Sequence, residues 1–225
     1  MDIEIELRIA ELLASRLCHD LVSPVGAVNN GMELLEEEPN EEILADAVSL
    51  VSNSARQASA LLQFYRLAYG QAGYRIEGEA ELLRRLATEY LKSQKAKLVW
   101  PSPEIHEALP EGAAKLLLNV LALAAEALPR GGAVEVTPFL PERGLEVTAR
   151  GSVAKLRPES RAALAAEQAD AIAALTPRSV QACFTALLAR RMGGRLEVSD
   201  DPNEHELLVF RVPALRGNVP GRGCE

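Results

Sequence analysis

Apolar and small residues return along the first part of the chain at Leu7, Ala14, Leu21, Val28 and Leu35, with a second row at Ile3, Ala10 and Leu17. This spacing of about 3.5 residues is that of a helix packed lengthwise on other helices, and it predicts a helix over residues 5–38. Pro39 and Asn40 break the pattern, and Asn40 is placed to cap a second helix whose first turn carries Glu41 and Glu42. Leu44, Val48, Val51, Ala55, Ala58, Leu62 and Tyr65 repeat the spacing, so the two helices should form an antiparallel hairpin. One hairpin cannot cover both of its own seams. Two copies can, as a four-helix bundle, so homodimerisation through residues 1–70 is expected.

After a glycine-rich stretch at 69–78 the periodicity changes, and a second domain is expected over 71–215. Residues 79–96 read as a helix, 97–100 as a short strand, and 110–128 as a strongly apolar helix ended by Pro129, Gly131 and Gly132. Segments 133–140 and 145–151 alternate as strands do, with a hairpin turn at 141–144. Residues 157–175 and 177–192 read as helices, Gly193 and Gly194 stop the second, and 195–199 with 206–212 make a closing hairpin. The fold class expected is α+β, with helices on one face of a mixed or antiparallel sheet. Residues 216–225 have no periodicity and read as a flexible tail.

A hydrophobic content of 48% beside 25% charged residues fits a globular chain, and 225 residues suffice for one large domain or two modest ones. The net charge of −8, with no strongly basic segment, argues against nucleic acid as a partner. The first residues are acidic where a secretory signal would be basic, and no apolar run approaches the roughly 20 residues that span a bilayer. No membrane association and a cytoplasmic location are therefore expected. Cys18, Cys183 and Cys224 are scattered, which suggests neither a disulfide framework nor a zinc site, and no metal is expected on this chain.

Taking the first row of the opening helix as heptad position a puts His19 at f, opposite the seam, with Arg16, Ser23, Gly26 and Asn30 beside it on the outer face. Arg16, Ser23 and Asn30 can offer hydrogen bonds to an anion. Gly26 and Gly31 weaken the helix and expose its backbone, a loss that another surface coming close would explain. Pro24 supplies no amide hydrogen and crowds the carbonyl of Asp20, so a local bend is expected just after His19. An exposed, nearly neutral imidazole is a competent nucleophile toward phosphorus. A surface histidine beside a structural kink is the plainer alternative.

These residues support a resemblance. His19-Asp20-Leu21-Val22-Ser23-Pro24 resembles the H-box of sensor histidine kinases, and the second domain resembles the ATP-binding domain that follows it in those enzymes. The segment 115–132 is similar to the N-box helix, 147–153 to a box that normally reads Asp-x-Gly-x-Gly, and 179–198 to the helix after the nucleotide lid. Asn119 matches the first N-box asparagine, but Leu123 stands where a magnesium-binding asparagine belongs. Ala149 replaces the adenine-reading aspartate, Val153 the second glycine of that box, and Ser179 and Gln181 the lid glycines. An intact H-box beside a degenerate ATP domain is the combination of the alphaproteobacterial histidine phosphotransferases, and the chain is similar to them in length and order.

The resemblance implies an N-terminal hairpin that dimerises into a four-helix bundle, followed by an α/β sandwich with no ATP bound. It implies a phosphorelay enzyme, acting in two-component signalling that bears on the cell cycle, whose His19 takes a phosphoryl group from the phospho-aspartate of a hybrid kinase's receiver domain. The group then passes to the receivers of response regulators. In that family the donor is CckA and the acceptors are CtrA and CpdR, and the magnesium ion comes with the receiver. His19 and Asp20 are the catalytic candidates; Arg16, Val22, Ser23, Gly26 and Asn30 are the receiver-binding ones. Asp20 either orients the imidazole, acts as a base, or forms a charge pair across the bundle, and Arg16 either steadies phosphoryl oxygens or is merely solvated. Val22, Val25 and Met32 meet a partner helix or belong to the core; His106 and His205 read as surface positions in polar loops. The rival readings are an active histidine kinase with an unusual ATP site, and a binding module that only sequesters a response regulator.

Overall fold

In the computed structural model, which describes residues 3–37, 40–71, 80–100, 112–139, 144–166, 169–201 and 204–215, the heptad rows become helix α1 (Ile3–Glu36) and helix α2 (Glu41–Ala68). Pro24 is buried inside α1, which continues through it. Asn40 caps α2 as its sequence position suggests, with its Oδ1 accepting from the Ile43 amide at 2.9 Å; Pro39 lies outside the described residues. The two helices pack as a hairpin. Gly31 is buried at their interface, where a Cβ would stand 2.6 Å from Val51 Cγ2 and 3.4 Å from the Ala47 carbonyl oxygen. This glycine admits α2, not an outside surface as its composition suggested.

The rest of the chain forms α3 (Ala80–Ser93), β1 (Ala96–Val99), α4 (Ala113–Glu126), β2 (Gly132–Phe139), β3 (Gly144–Arg150), α5 (Pro158–Leu164), α6 (Ala169–Ala173), α7 (Val180–Arg191), β4 (Glu197–Asp201) and β5 (Glu204–Val212). The five strands lie in the order β1-β2-β3-β5-β4, with β1 parallel to β2 and every other pair antiparallel. One face of this sheet is apolar in register: Val136 pairs with Val147, Val147 with Phe210, and Phe210 with Val198. Val134, Val136, Val147, Ala149, Leu208 and Phe210 are buried there, against α4 above all. The α+β class is as the alternation of strand and helix patterns implied.

Two boundaries differ from expectation. Residues 157–175 make two helices, because i→i+3 bonds from Ala165 to Ala162 and from Ala166 to Ala163 tighten and end the first. His205 belongs to β5 rather than to a polar loop, since Asp201 already pairs with Glu204. The turn at 141–143 and the tail 216–225 lie outside the described residues, although Phe139 and Gly144 on either side of the turn are paired. Gly193 and Gly194 end α7 as foreseen: Gly193 takes φ +73°, its amide bonds to the Arg190 carbonyl, and that of Gly194 to Ala189.

The heptad phase of α1 holds only for half of its length. Ile3 and Leu7 are 79% and 58% exposed, whereas Ile9 and Leu12, from the opposite side, are buried where α1 meets α6 and α7. The first half of α1 is therefore covered by the α/β layer on what the heptad makes its outer side, and its seam side is open. Ile9, Leu12, Leu61 and Phe64 join Leu116, Leu121, Val147 and Phe210 in one hydrophobic core.

The end of α2 is clamped into that core. The last carbonyls of a helix have no intrahelical partner; here Asn119 Nδ2 donates to the Ala68 carbonyl at 2.7 Å, and Lys115 Nζ to those of Tyr69 and Gly70, both at 2.9 Å. Asn119 is fully buried, and its Oδ1 accepts from Gln181 Nε2 at 2.9 Å. Replacing Asn119 by leucine keeps the volume but takes the side-chain donor from Ala68 O and the nearest acceptor from Gln181 Nε2, which keeps only the longer contacts to the Asn119 carbonyl and Thr185 Oγ1, so Asn119→Leu should cost about 2–4 kcal/mol. Urea unfolding measures this loss, and an unchanged midpoint would remove the clamp from the account.

Candidate active site

His19 sits midway along α1 with its side chain 79% exposed. The helix carries Arg16 and Asp20 four residues apart on the same side, and Asp20 turns back on its neighbour: His19 Nδ1 lies 3.2 Å from Asp20 Oδ1. An ionised carboxylate only accepts, so the neutral tautomer that fits this contact is the one with its proton on Nδ1 and its lone pair on Nε2. Asp20 Oδ2 accepts from the Tyr65 hydroxyl on α2 at 2.5 Å and lies 3.9 Å from Arg16 Nε. Burial, then the neighbouring Tyr90, Tyr69 and Asp20, push the Tyr65 phenol far above its ordinary value, so it remains a neutral donor.

Arg16 does not face outward with His19, contrary to its heptad position. Its side chain is 13% exposed, Nη1 donates to the Arg178 carbonyl at 3.2 Å, and the same atom lies 3.5 Å from Glu126 Oε2. The cause is the covered side of α1 described above: the row through Ile9 and Leu12 runs on to Arg16, and α7 with the turn before it closes over it. Burial works against the Arg16 charge, but Tyr69, Tyr90, Glu126 and Tyr65 outweigh it, and the guanidinium is held above its ordinary pKa. Glu126, at the end of α4, also binds Arg157 Nη2 at 2.8 Å and Ser160 Oγ at 2.5 Å. Pro158 opens α5 and so places Arg157 at its N-cap. Ion pairs thus run unbroken from Asp20, beside His19, through Arg16 and Glu126 to Arg157.

Beside His19 opens a cleft of about 650 Å³, walled by Arg16, His19 and Asp20 on one side and by Arg157, Glu159, Thr176, Pro177 and Arg178 on the other. Ser23 and Asn30 are exposed, and nothing lies within 4 Å of where a Cβ at Gly26 would stand. These positions share an open surface with His19, as expected. Val22, Val25 and Met32 are exposed as well, so they are not core residues of this chain. Tyr65, Glu126, Arg157, Ser160 and Arg178 were not singled out by sequence. His106 lies outside the described residues, and among those described no three His, Cys, Asp or Glu side chains gather as metal ligands.

The positions that the resemblance aligns with nucleotide contacts are filled. Leu123 and Ala149 are fully buried in the hydrophobic core. Gln181 Oε1 accepts from the Tyr69 hydroxyl at 2.5 Å, and Ser179 Oγ accepts from the Thr176 amide at 3.0 Å.

Residues 80–204 match the family described as the histidine phosphotransferase C-terminal domain. The protein phosphotransferase ChpT of Brucella abortus (strain 2308) is 37% identical over 198 residues, which is 85% of this chain and 90% of that one. The chain belongs to the histidine phosphotransferase family. A solved structure described as a bacterial phosphotransferase superposes on this family member with a TM-score of 0.72 at 35% identity, covering 92% of this chain and 96% of the other. The phosphotransferase has no described helix long and apolar enough to cross a membrane. The family match begins at α3, so α1 with His19 lies outside it.

If Arg16 is a buried ion-pair partner of Glu126, Arg16→Ala should destabilise the protein by about 2 kcal/mol or more. An arginine on an open surface would cost less than about 0.5 kcal/mol. Chemical denaturation separates the two.

Proposed function

We propose that this phosphotransferase carries the phosphoryl group on His19, taking it from the phospho-aspartate of a receiver domain and giving it to the aspartate of another. The observation that carries this reading is the exposed imidazole whose Nδ1 is occupied by Asp20 while Nε2 points away from that contact, at the mouth of a cleft flanked by Arg157 and Arg178. In-line attack at phosphorus needs positioning and charge stabilisation more than covalent help from the protein. The magnesium ion of the reaction belongs to the receiver. Asp20 orients the imidazole and faces the positive charge that grows on it; Val22, Ser23, Gly26 and Asn30 form the surface a receiver's helix meets. Arg16 supports this site from below and does not touch the phosphoryl group.

Donor and acceptors follow from the family resemblance: a hybrid kinase of the CckA type, and the response regulators CtrA and CpdR, in a cytoplasmic phosphorelay governing the cell cycle. ATP takes no part. Gln181 and Ser179 stand where lid glycines would wrap phosphates, and Leu123 offers no ligand to magnesium.

The protein works as a homodimer. Ile3 and Leu7 on α1 and Leu44, Val48 and Leu62 on α2 leave an apolar face open along the hairpin, and a second copy would bury it as a four-helix bundle.

Incubation with a phosphorylated receiver should place acid-labile label on the wild-type protein, and labelled ATP alone should place none. His19→Ala should lose the label and keep the dimeric mass in light scattering. Label persisting on the variant would remove His19 from the reading, label from ATP would restore a kinase, and a monomeric wild type at micromolar concentration would contradict the dimer.

A further inference from the structure

Asp20 is only partly buried, with 30% of its side chain exposed, and a carboxylate so placed is free to turn toward water. What holds it is on the other helix. Tyr65 is 2% exposed, its ring stacks on that of Tyr69 at 5.0 Å between centroids, and Phe64 and Tyr90 meet it edge-on at 5.8 and 6.3 Å. Such a ring has no room to rotate, so its hydroxyl is a fixed donor at Asp20 Oδ2. Arg16 Nε stands 3.9 Å from the same oxygen. The Tyr65 hydroxyl donates to Oδ2 and the Arg16 guanidinium attracts the same oxygen as an ion pair, which leaves Oδ1 directed at His19 Nδ1.

The tautomer is at stake. A histidine in water favours the proton on Nε2, the form in which that nitrogen has no lone pair to attack with. We propose that Tyr65 is a positioning residue for phosphoryl transfer: its hydrogen bond pins the Asp20 carboxylate so that Oδ1 holds the proton on His19 Nδ1 and Nε2 is left as the nucleophile. This rests on the reading of His19 as the phosphoryl carrier.

The step then balances without a proton leaving. The Nε2 lone pair forms the N–P bond while the bond from phosphorus to the donor's aspartyl oxygen breaks, and the donor carboxylate departs with that electron pair. The ring keeps its Nδ1 proton and becomes positive, opposite the Asp20 charge. On return, an acceptor carboxylate oxygen attacks phosphorus and Nε2 recovers its pair. Because Tyr65 is buried and touches no receiver, removing its hydroxyl should slow the step without weakening docking.

The test is imidazole nitrogen NMR on the unphosphorylated protein above the histidine pKa, for wild type and Tyr65→Phe, beside single-turnover transfer from a phosphorylated receiver. His19 should be mainly Nδ1-protonated in the wild type and shift toward the Nε2-protonated form in the variant. Transfer should fall roughly tenfold or more with the half-saturating receiver concentration unchanged. A wild-type His19 protonated mainly on Nε2 overturns the proposal whether or not the variant folds. An unchanged tautomer in a folded Tyr65→Phe overturns the role of Tyr65 alone, whereas a wild type that takes no label overturns the carrier reading beneath it.

Discussion

Among the described residues, the carbonyls of Ala68, Tyr69 and Gly70 at the end of α2 find their side-chain donors in Asn119 and Lys115. Buried backbone oxygens are costly to leave unpaired, so this clamp fixes where the hairpin sits on the α/β layer. Burial and the nearby Arg191 push the Lys115 ammonium down to about 8, and its place over the Phe184 ring, 5.7 Å from the centroid, shows how far it has been drawn in. Once the end of α2 is held, the first half of α1 is brought against α6 and α7. The cleft beside His19 lies between α1 and the segments 157–159 and 176–178.

The same clamp accounts for the second domain's present chemistry. Asn119 resembles a residue of the kinase nucleotide site, yet both of its amide hydrogens go to carbonyls of Ala68 and Lys115, and its oxygen receives Gln181. Side chains at positions that the resemblance aligns with nucleotide contacts are internal hydrogen-bond partners in this chain. A domain whose polar side chains bond to the hairpin in this way walls the cleft and supplies Glu126, Arg157 and Arg178. The buried pair of Arg16 and Glu126 adds nothing obvious to stability that apolar residues could not supply; it aligns α1 against α4 and α5 in one register.

Much of the fold was legible because its periods are visible. Heptad rows gave α1 and α2, alternation gave β2, β3 and β5, and Asn40, Gly193 and Gly194 marked ends through backbone chemistry that acts locally. Of the candidate site, the sequence placed His19, Ser23 and Asn30 on the exposed side where they lie, and little more. Arg16 was misplaced because one heptad phase describes one seam, whereas the first half of α1 is covered by the α/β layer on the side away from that seam; Ile9 and Leu12, apolar but off the row, were the available sign. Tyr65 was visible as a seam residue, and its hydroxyl, a polar group on an apolar row, hinted at a polar partner such as Asp20. Glu126, Arg157 and Ser160 carry no local pattern, since residues 31 and 34 apart in sequence meet only once the layers close.

The proposed transfer depends on one atom, the imidazole nitrogen of His19 that faces away from Asp20. Phosphorus–proton correlation NMR on the protein charged by a phosphorylated receiver reads that atom directly. The phosphoryl group should be bonded to Nε2 of His19. Phosphorus bonded to Nδ1 of His19, or to any other residue of this chain, would contradict it.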